Sequence, residues 1–181
     1  MVLIPLANGF EEIEAVSLID VLRRAEIDVM IGGVGSLNIK GAHNIEIKTD
    51  VLISEVKSED IEMIILPGGW DGTYALADDA DVQRLLQEMD TQDKGIAAIC
   101  AAPYALNKAG VLKYNYTCYP SVEKEIREEG YTALSNIVTD GNVMTSRGPG
   151  TALCFALAIV EKIKDKETAK ALKEGMLLDY C

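Results

Sequence analysis

Cys100 stands at the end of the run Gly95-Ile96-Ala97-Ala98-Ile99-Cys100-Ala101-Ala102-Pro103, where a short apolar strand passes into the small residues of a helix start. A thiol delivered there meets the free N–H groups and the positive dipole end of the next helix, both of which favour the thiolate. The chemistry expected of such a group is nucleophilic attack. Free cysteines also serve widely as small buried hydrophobes, so position alone leaves function and packing evenly matched. The residues at neighbouring strand ends shift that balance, because the carboxyl edges of adjacent parallel strands converge on one crevice.

After the first apolar run comes Asn8-Gly9-Phe10-Glu11-Glu12-Ile13-Glu14, with three acids at a helix start. Complementing the helix dipole, worth about 0.3–1 kcal/mol per exposed acid, is enough to explain Glu12. Glu11 and Glu14 are three apart and share a face. Glu14 lies beside Ile13 and Val16 and is expected to turn toward the crevice. A buried carboxyl there prefers to be neutral and can donate a hydrogen bond to sulfur. Pro67-Gly68-Gly69, after the third main strand, is a turn without obstructing side chains, suited to presenting N–H groups to an oxyanion.

His43 is the only imidazole in the chain. It falls in a small β excursion, Lys40-Gly41-Ala42-His43-Asn44, where a surface position is expected and a dimer interface is its route to Cys100. Tyr119 and Arg147 occupy loop positions that could face the crevice. Gly32-Gly33-Val34-Gly35 lacks the full G-x-G-x-x-G spacing and precedes no helix, so it is not read as a dinucleotide site. Cys100, Cys118, Cys154 and Cys181 are far apart with no C-x-x-C pair, which predicts neither a metal site nor a disulfide framework. Cys118, Cys154 and Cys181 are read as structural, and no cofactor is expected.

The elements that must position these groups alternate in the order of a parallel sheet wrapped by helices. Strands are predicted at Val2–Ala7, Ile27–Ile31, Ile61–Leu66 and Gly95–Ile99, with shorter ones at Tyr114–Cys118, Ala133–Val138 and Asn142–Thr145. Helices are predicted at Glu11–Ala25, Asp81–Met89, Ala101–Ala109 and Ser121–Glu129, then from Thr151 to about Ile163, and at Glu167–Gly175. The first of these has Ile13, Val16, Leu18, Ile19 and Leu22 near the helical period as its apolar face. Residues 32–58 read as short alternating segments, notably Asn44–Lys48, outside the main sheet.

A length of 181 residues and 49% hydrophobic content predict one domain with a full core over residues 1–181. The net charge of −12 argues against gripping a nucleic-acid backbone or an anionic membrane and favours small or neutral substrates. No apolar run reaches membrane-spanning length and the start carries no basic signal region, so a cytoplasmic protein is expected.

Four segments together resemble the ThiJ/PfpI superfamily, in its DJ-one branch: Gly9-Phe10-Glu11-Glu12-Ile13-Glu14, Leu66-Pro67-Gly68-Gly69, Ala97-Ala98-Ile99-Cys100-Ala101-Ala102-Pro103, and Thr145-Ser146-Arg147-Gly148-Pro149-Gly150-Thr151. The resemblance runs over nearly the whole chain. It implies a flavodoxin-like α/β fold, a doubly wound and mostly parallel sheet with helices on both faces, in a homodimer. It also implies an easily oxidised nucleophile, Cys100, hydrogen-bonded to protonated Glu14, with backbone N–H groups of Gly69 and Ala101 at the site. Implied substrates are small 2-oxoaldehydes or their glycated adducts, with oxidative-stress sensing or chaperone action as the alternative. Tyr119 stands where the branch has a histidine. Ala101 stands where the protease-like branch places one directly after its cysteine.

Three functions therefore compete. In the first, Cys100 attacks an aldehyde carbon and Glu14 moves the proton needed for rearrangement to a hydroxy acid. In the second, Cys100 is an oxidation sensor. Amide hydrolysis is the weakest, since His43 precedes the thiol and no other histidine can complete a triad.

Overall fold

Seven strands form one sheet in the order β5-β2-β1-β6-β7-β9-β8 in the computed structural model, which describes residues 1–181. They are β1 (Val2–Leu6), β2 (Val29–Gly33), β5 (Val51–Leu52), β6 (Met63–Leu66), β7 (Gly95–Ile99), β8 (Ile137–Asp140) and β9 (Val143–Ser146). All neighbours are parallel except β8, which runs antiparallel to β9 at one edge. Strands covered on both faces read as continuous apolar runs, and β1 and β6 are buried at every position.

Alternate side chains of these strands feed two separate cores. Ile4, Leu6, Ile65, Ala97 and Ile99 point to one, with α1 (Glu12–Arg24) and α6 (Ala152–Ile163). Leu3, Ile64, Leu66, Ile96 and Ala98 point to the other, with α2 (Trp70–Asp78), α3 (Ala80–Thr91) and α4 (Pro103–Lys108). The fold is thus the expected flavodoxin-like doubly wound sheet. From β1 the chain winds outward to β2 on one side and later to β6 on the other, so the switch point lies between β1 and β6. Ligand crevices form at the carboxyl ends of strands at such a point.

Several local expectations are corrected. Ile13 and Val16 are exposed, whereas Leu18, Ile19 and Leu22 are buried as expected, together with Glu12, Glu14, Ala15 and Val21. The second strand lies at Val29–Gly33, two residues later than its predicted start. Tyr114–Cys118 forms no strand, only an isolated bridge between Tyr116 and Tyr131. The edge strand predicted at Ala133–Val138 is Ile137–Asp140, and the charged helix shrinks to α5 (Glu123–Ile126). Residues 32–58 do make a two-stranded hairpin outside the sheet, β3 (Asn38–Lys40) with β4 (Glu46–Lys48), but β5 then joins the main sheet beside β2. α7 (Lys166–Gly175) ends the chain's helices close to expectation.

Helix α2 was not anticipated, since Trp70-Asp71-Gly72-Thr73-Tyr74 shows little helical periodicity. It forms because Thr73, Leu76 and Ala77 find burial and Gly72 admits the β1–α1 turn against its backbone. The cysteines hold the other surprise. Cys154 of α6 and the last residue, Cys181, form a disulfide, which sequence spacing did not suggest. Cys100 and Cys118 are free.

Candidate active site

Cys100 leaves β7 with φ of +65°, a left-handed conformation that a residue with a Cβ adopts only when its surroundings enforce it. Two hydrogen bonds enforce it here. Cys100 N–H donates to the Ser146 carbonyl at the end of β9, and Tyr119 N–H donates to the Cys100 carbonyl, at 3.0 and 2.9 Å. The strained turn lifts the side chain out of the sheet plane at the strand's carboxyl edge.

Glu14, on the first turn of α1, has no exposed surface. Its Oε2 accepts a 2.7 Å hydrogen bond from the Gly68 N–H. Its Oε1 is buried with no hydrogen-bond partner, and the side chains of Cys100 and Glu11 both act on this carboxyl. Gly68 lies between the two groups. A Cβ there would come 2.7 Å from Cys100 Cβ and 2.8 Å from Glu14 Oε2, so only glycine lets acid and thiol approach. Gly69, with φ of +89°, packs on the Gly9 carbonyl in the same way.

Burial pushes Glu14 up to about 7 from its ordinary 4.5, against the pull of the Gly68 N–H and the Cys100 side chain, while the charge of Glu11 adds to the rise. Burial also pushes the Cys100 thiol up, a charged Glu14 raises it further, and the N–H groups of Ala101 and Gly69 oppose the rise. The expectation of an acidic thiol is therefore corrected for the state in which Glu14 is ionised: two adjacent buried groups cannot both be anions at low cost. With a proton on Glu14, that opposing charge disappears and two backbone donors face the sulfur. The Gly68 N–H, expected at the oxyanion, is instead occupied by Glu14.

A cavity of about 420 Å³ opens over the thiol. Cys100, Ala101, Gly69 and Glu11 line it, as their positions at strand ends suggested, and so does Tyr119 from its loop position. Trp70, Asp71, Ala42 and Pro149 line it as well and were missed, the first two because α2 itself was missed. Two expected residues lie elsewhere. Arg147 is not in the wall; its charge acts on the buried thiol of Cys118, and its Nε is buried without a partner.

His43, with its side chain 70% exposed, turns to α1, where Nδ1 sits 2.8 Å from Glu12 Oε2 and 3.7 Å from Glu11 Oε2. Glu12 is buried and does more than complement a dipole, since it also accepts from the backbone N–H groups of His43 and Ile45. Burial acts to raise Glu12, but these bonds outweigh it and hold the carboxyl below its ordinary value. The hydrogen bond to Glu12, then the charges of Glu11 and Glu12, raise His43. Donor atoms of Glu11, Glu12 and His43 lie within 4.8 Å of one another and could hold a metal ion, but those of Glu12 and His43 are already engaged with each other.

Residues 1–162 match the model of the DJ-1/PfpI family. The chain belongs to the DJ-1/PfpI family. It is 39% identical over 181 residues to Protein dj-1beta of Drosophila melanogaster, covering 98% of this chain and 97% of the relative. The crystal structure of that fly protein superposes with a TM-score of 0.95 over 99% of this chain and 98% of the other. The "Glutathione-independent glyoxalase DJR-1.2" of Caenorhabditis elegans is 35% identical over 179 residues, covering 98% and 95%. The chain spans 46% of Protein DJ-1 homolog A of Arabidopsis thaliana, at 38% identity. No helix is long and apolar enough to cross a membrane.

Proposed function

We propose that the protein is a glutathione-independent glyoxalase that converts 2-oxoaldehydes such as methylglyoxal, or their adducts, to hydroxy acids at Cys100. The observation that carries this reading is the Glu14 carboxyl, fully buried and raised to about 7, beside the thiol at the floor of a cavity sized for a small ligand. A group poised near neutrality can both take and give a proton.

The steps follow from that pairing. The Cys100 sulfur bonds to the aldehyde carbon, and the N–H groups of Gly69 and Ala101 hold the oxyanion until it gains a proton as a hemithioacetal. Glu14 as carboxylate removes the proton from the former aldehyde carbon, giving an enediol, and returns a proton to the adjacent carbon, leaving a thioester. Water cleaves the thioester to the hydroxy acid and free thiol. Oxidation state is conserved between the two carbons, so no external oxidant or reductant enters.

Conversion of methylglyoxal to lactate is expected to disappear in Cys100→Ser and to fall by about 10²–10⁴ in kcat for Glu14→Gln, the range for a lost general base. Full conversion by Cys100→Ser sinks the proposal. Sensing by Cys100 oxidation is distinguished by steady-state turnover before and after mild peroxide. An enzyme turns over when reduced and stops when oxidised, whereas a sensor shows no turnover in either state.

We further propose a cytoplasmic homodimer. Ile13 and Val16 on α1 and Ile45 beside the α1 N-terminus leave large apolar surfaces exposed, at 58, 48 and 56%. Exposed large apolar side chains, two of them three residues apart on α1, are the kind of surface that an interface covers. Sedimentation should give twice the mass of 19.6 kDa, falling to one chain for Ile13→Glu. A monomeric parent chain removes the claim.

A further inference from the structure

The Cys154–Cys181 bond borders a second cavity, of about 390 Å³, between α6, α7 and the edge strand β8. Both cysteines line it. So do Lys166, Lys170 and Lys173, which share one face of α7 because they are four and three residues apart. Glu161 is the one acid in the wall. In a chain with a net charge of −12, three lysines against one glutamate reverse the sign locally. Lys173 is engaged, since its Nζ donates to the Cys181 carbonyl at 2.9 Å, and Lys170 lies 3.8 Å from Glu174. Lys166 and Lys170 are therefore the cations open to a ligand.

The two sulfurs are unequal. Cys181 is exposed, whereas Cys154 is partly buried. Cys154 is also the third residue of α6, a helix of 12 residues with no acid in its first turn to offset the dipole. A thiolate at that place is stabilised by the positive end of the helix. The sulfur that carries negative charge more easily is the better leaving group, and the accessible sulfur is the one that a nucleophile reaches. Both arguments assign attack to Cys181 and departure to Cys154. Among attacking thiols, one that carries a carboxylate is drawn to the lysines beside Cys181, and one that carries an ammonium is repelled.

We infer that Cys154–Cys181 is a second reactive site of the protein, a disulfide opened by small thiols that bear a carboxylate, with Lys166 and Lys170 selecting them. The incoming thiolate bonds to the Cys181 sulfur while the bond between the two cysteines breaks and its electron pair stays on Cys154. The product is a mixed disulfide on Cys181 and a free Cys154. A second thiolate attacks the outer sulfur of the mixed disulfide and releases Cys181. Two thiols are oxidised to one external disulfide as the protein bond gains two electrons, so the thiol is both ligand and reductant. Cys100, Glu14 and their cavity take no part, which makes this site independent of the proposed glyoxalase chemistry. Its opening removes the covalent tether of α7.

The experiment starts from air-oxidised wild-type protein and follows its opening by mercaptoacetate, mercaptoethanol and cysteamine, which are anionic, neutral and cationic. Samples are quenched in acid and the adducts located by peptide mass. Each rate constant is divided by that of the same thiol with hydroxyethyl disulfide, a neutral reference that removes differences in intrinsic nucleophilicity. At low salt the normalised rate for mercaptoacetate is expected to exceed that for mercaptoethanol by about three- to tenfold, with cysteamine slower than either. The spread should collapse at about 1 M salt, where charges are screened beyond about 3 Å. The first adduct should sit on Cys181. Lys166→Gln combined with Lys170→Gln should bring mercaptoacetate level with mercaptoethanol at an unchanged melting temperature, since both side chains are exposed. If that variant unfolds, the salt dependence of the wild type decides instead. Equal normalised rates for the three thiols, a first adduct on Cys154, an unchanged preference in the lysine variant, or an opening rate that does not rise with thiol concentration would each overturn the inference. Protein that forms no Cys154–Cys181 bond in air overturns it at the outset.

Discussion

A carboxyl without exposed surface and a neighbouring thiol contend for one proton, and the contest reaches beyond catalysis to stability. Glu14 ionises near 4.5 when unfolded and near 7 when folded. Between these values the native chain binds more protons than the unfolded one, so the contribution of Glu14 is fully present below about pH 4.5 and is lost as pH rises through about 7. The difference amounts to about 3 kcal/mol at pH 8. Glu14→Gln keeps an acceptor for the Gly68 N–H and removes the charge. Urea unfolding from pH 5 to 8 should therefore show the variant gaining on the parent as pH rises, and parallel profiles would contradict the buried-carboxyl account. Cys100, Glu14, Gly69, Ala101 and Glu11 could be brought together from sequence because each follows a strand that was itself legible, whereas Tyr119 reaches the site from a loop although Tyr114–Cys118 forms no strand. His43 and Arg147 misled, since both sit at loop positions whose direction depends on partners such as Glu12 and Cys118, far away in the chain.

Elements were legible where burial on both faces made the pattern continuous, as in β1, β6 and β7, and illegible where packing overrode local preference. Tyr114–Cys118 has strand-like composition but no neighbour with which to form a ladder, so it keeps one bridge. Ile13 and Val16 sit near the helical period of α1 and still face outward. α2 is the opposite case, a helix carrying Gly72 near its start. Glycine in a helix ordinarily costs about 1 kcal/mol relative to alanine, so Gly72→Ala would be expected to stabilise. Here a Cβ would meet Phe10 N at 2.8 Å and Phe10 Cα at 2.9 Å, both backbone atoms that cannot step aside. The expected sign is therefore reversed, with Gly72→Ala destabilising by about 1–3 kcal/mol in denaturant unfolding and displacing Trp70 and Asp71 from the cavity wall. A stabilised variant would mean that the β1–α1 turn and α2 are not packed this closely.

At the scale of the whole chain, the Cys154–Cys181 bond ties the last residue to α6 across a separation of 27 residues. Its place is mechanically reasonable, because α7 buries only Ala169 fully and the segment after it is anchored by Leu178 and by the Lys173 Nζ bond to the Cys181 carbonyl. A helix with so little buried area depends on its tether more than α1 or α6 does. Closing a loop of this length restricts the unfolded chain by up to about 3–4 kcal/mol. Cys181→Ser should lower stability toward that figure, and hydrogen exchange should accelerate first in Lys166–Gly175 while α1 and α6 keep their protection. Thiol titration of the denatured parent checks the bond directly, with two groups expected before reduction, from Cys100 and Cys118, and four after it. In a cytoplasm rich in reduced thiols the bond would stand against its surroundings, so the ratio of two-thiol to four-thiol protein after acid-quenched extraction also reports where the chain resides. Four thiols before any reductant, with α7 equally protected, would place the anchoring of the C-terminal helix in the packing of Ala169, Leu172, Met176 and Leu178.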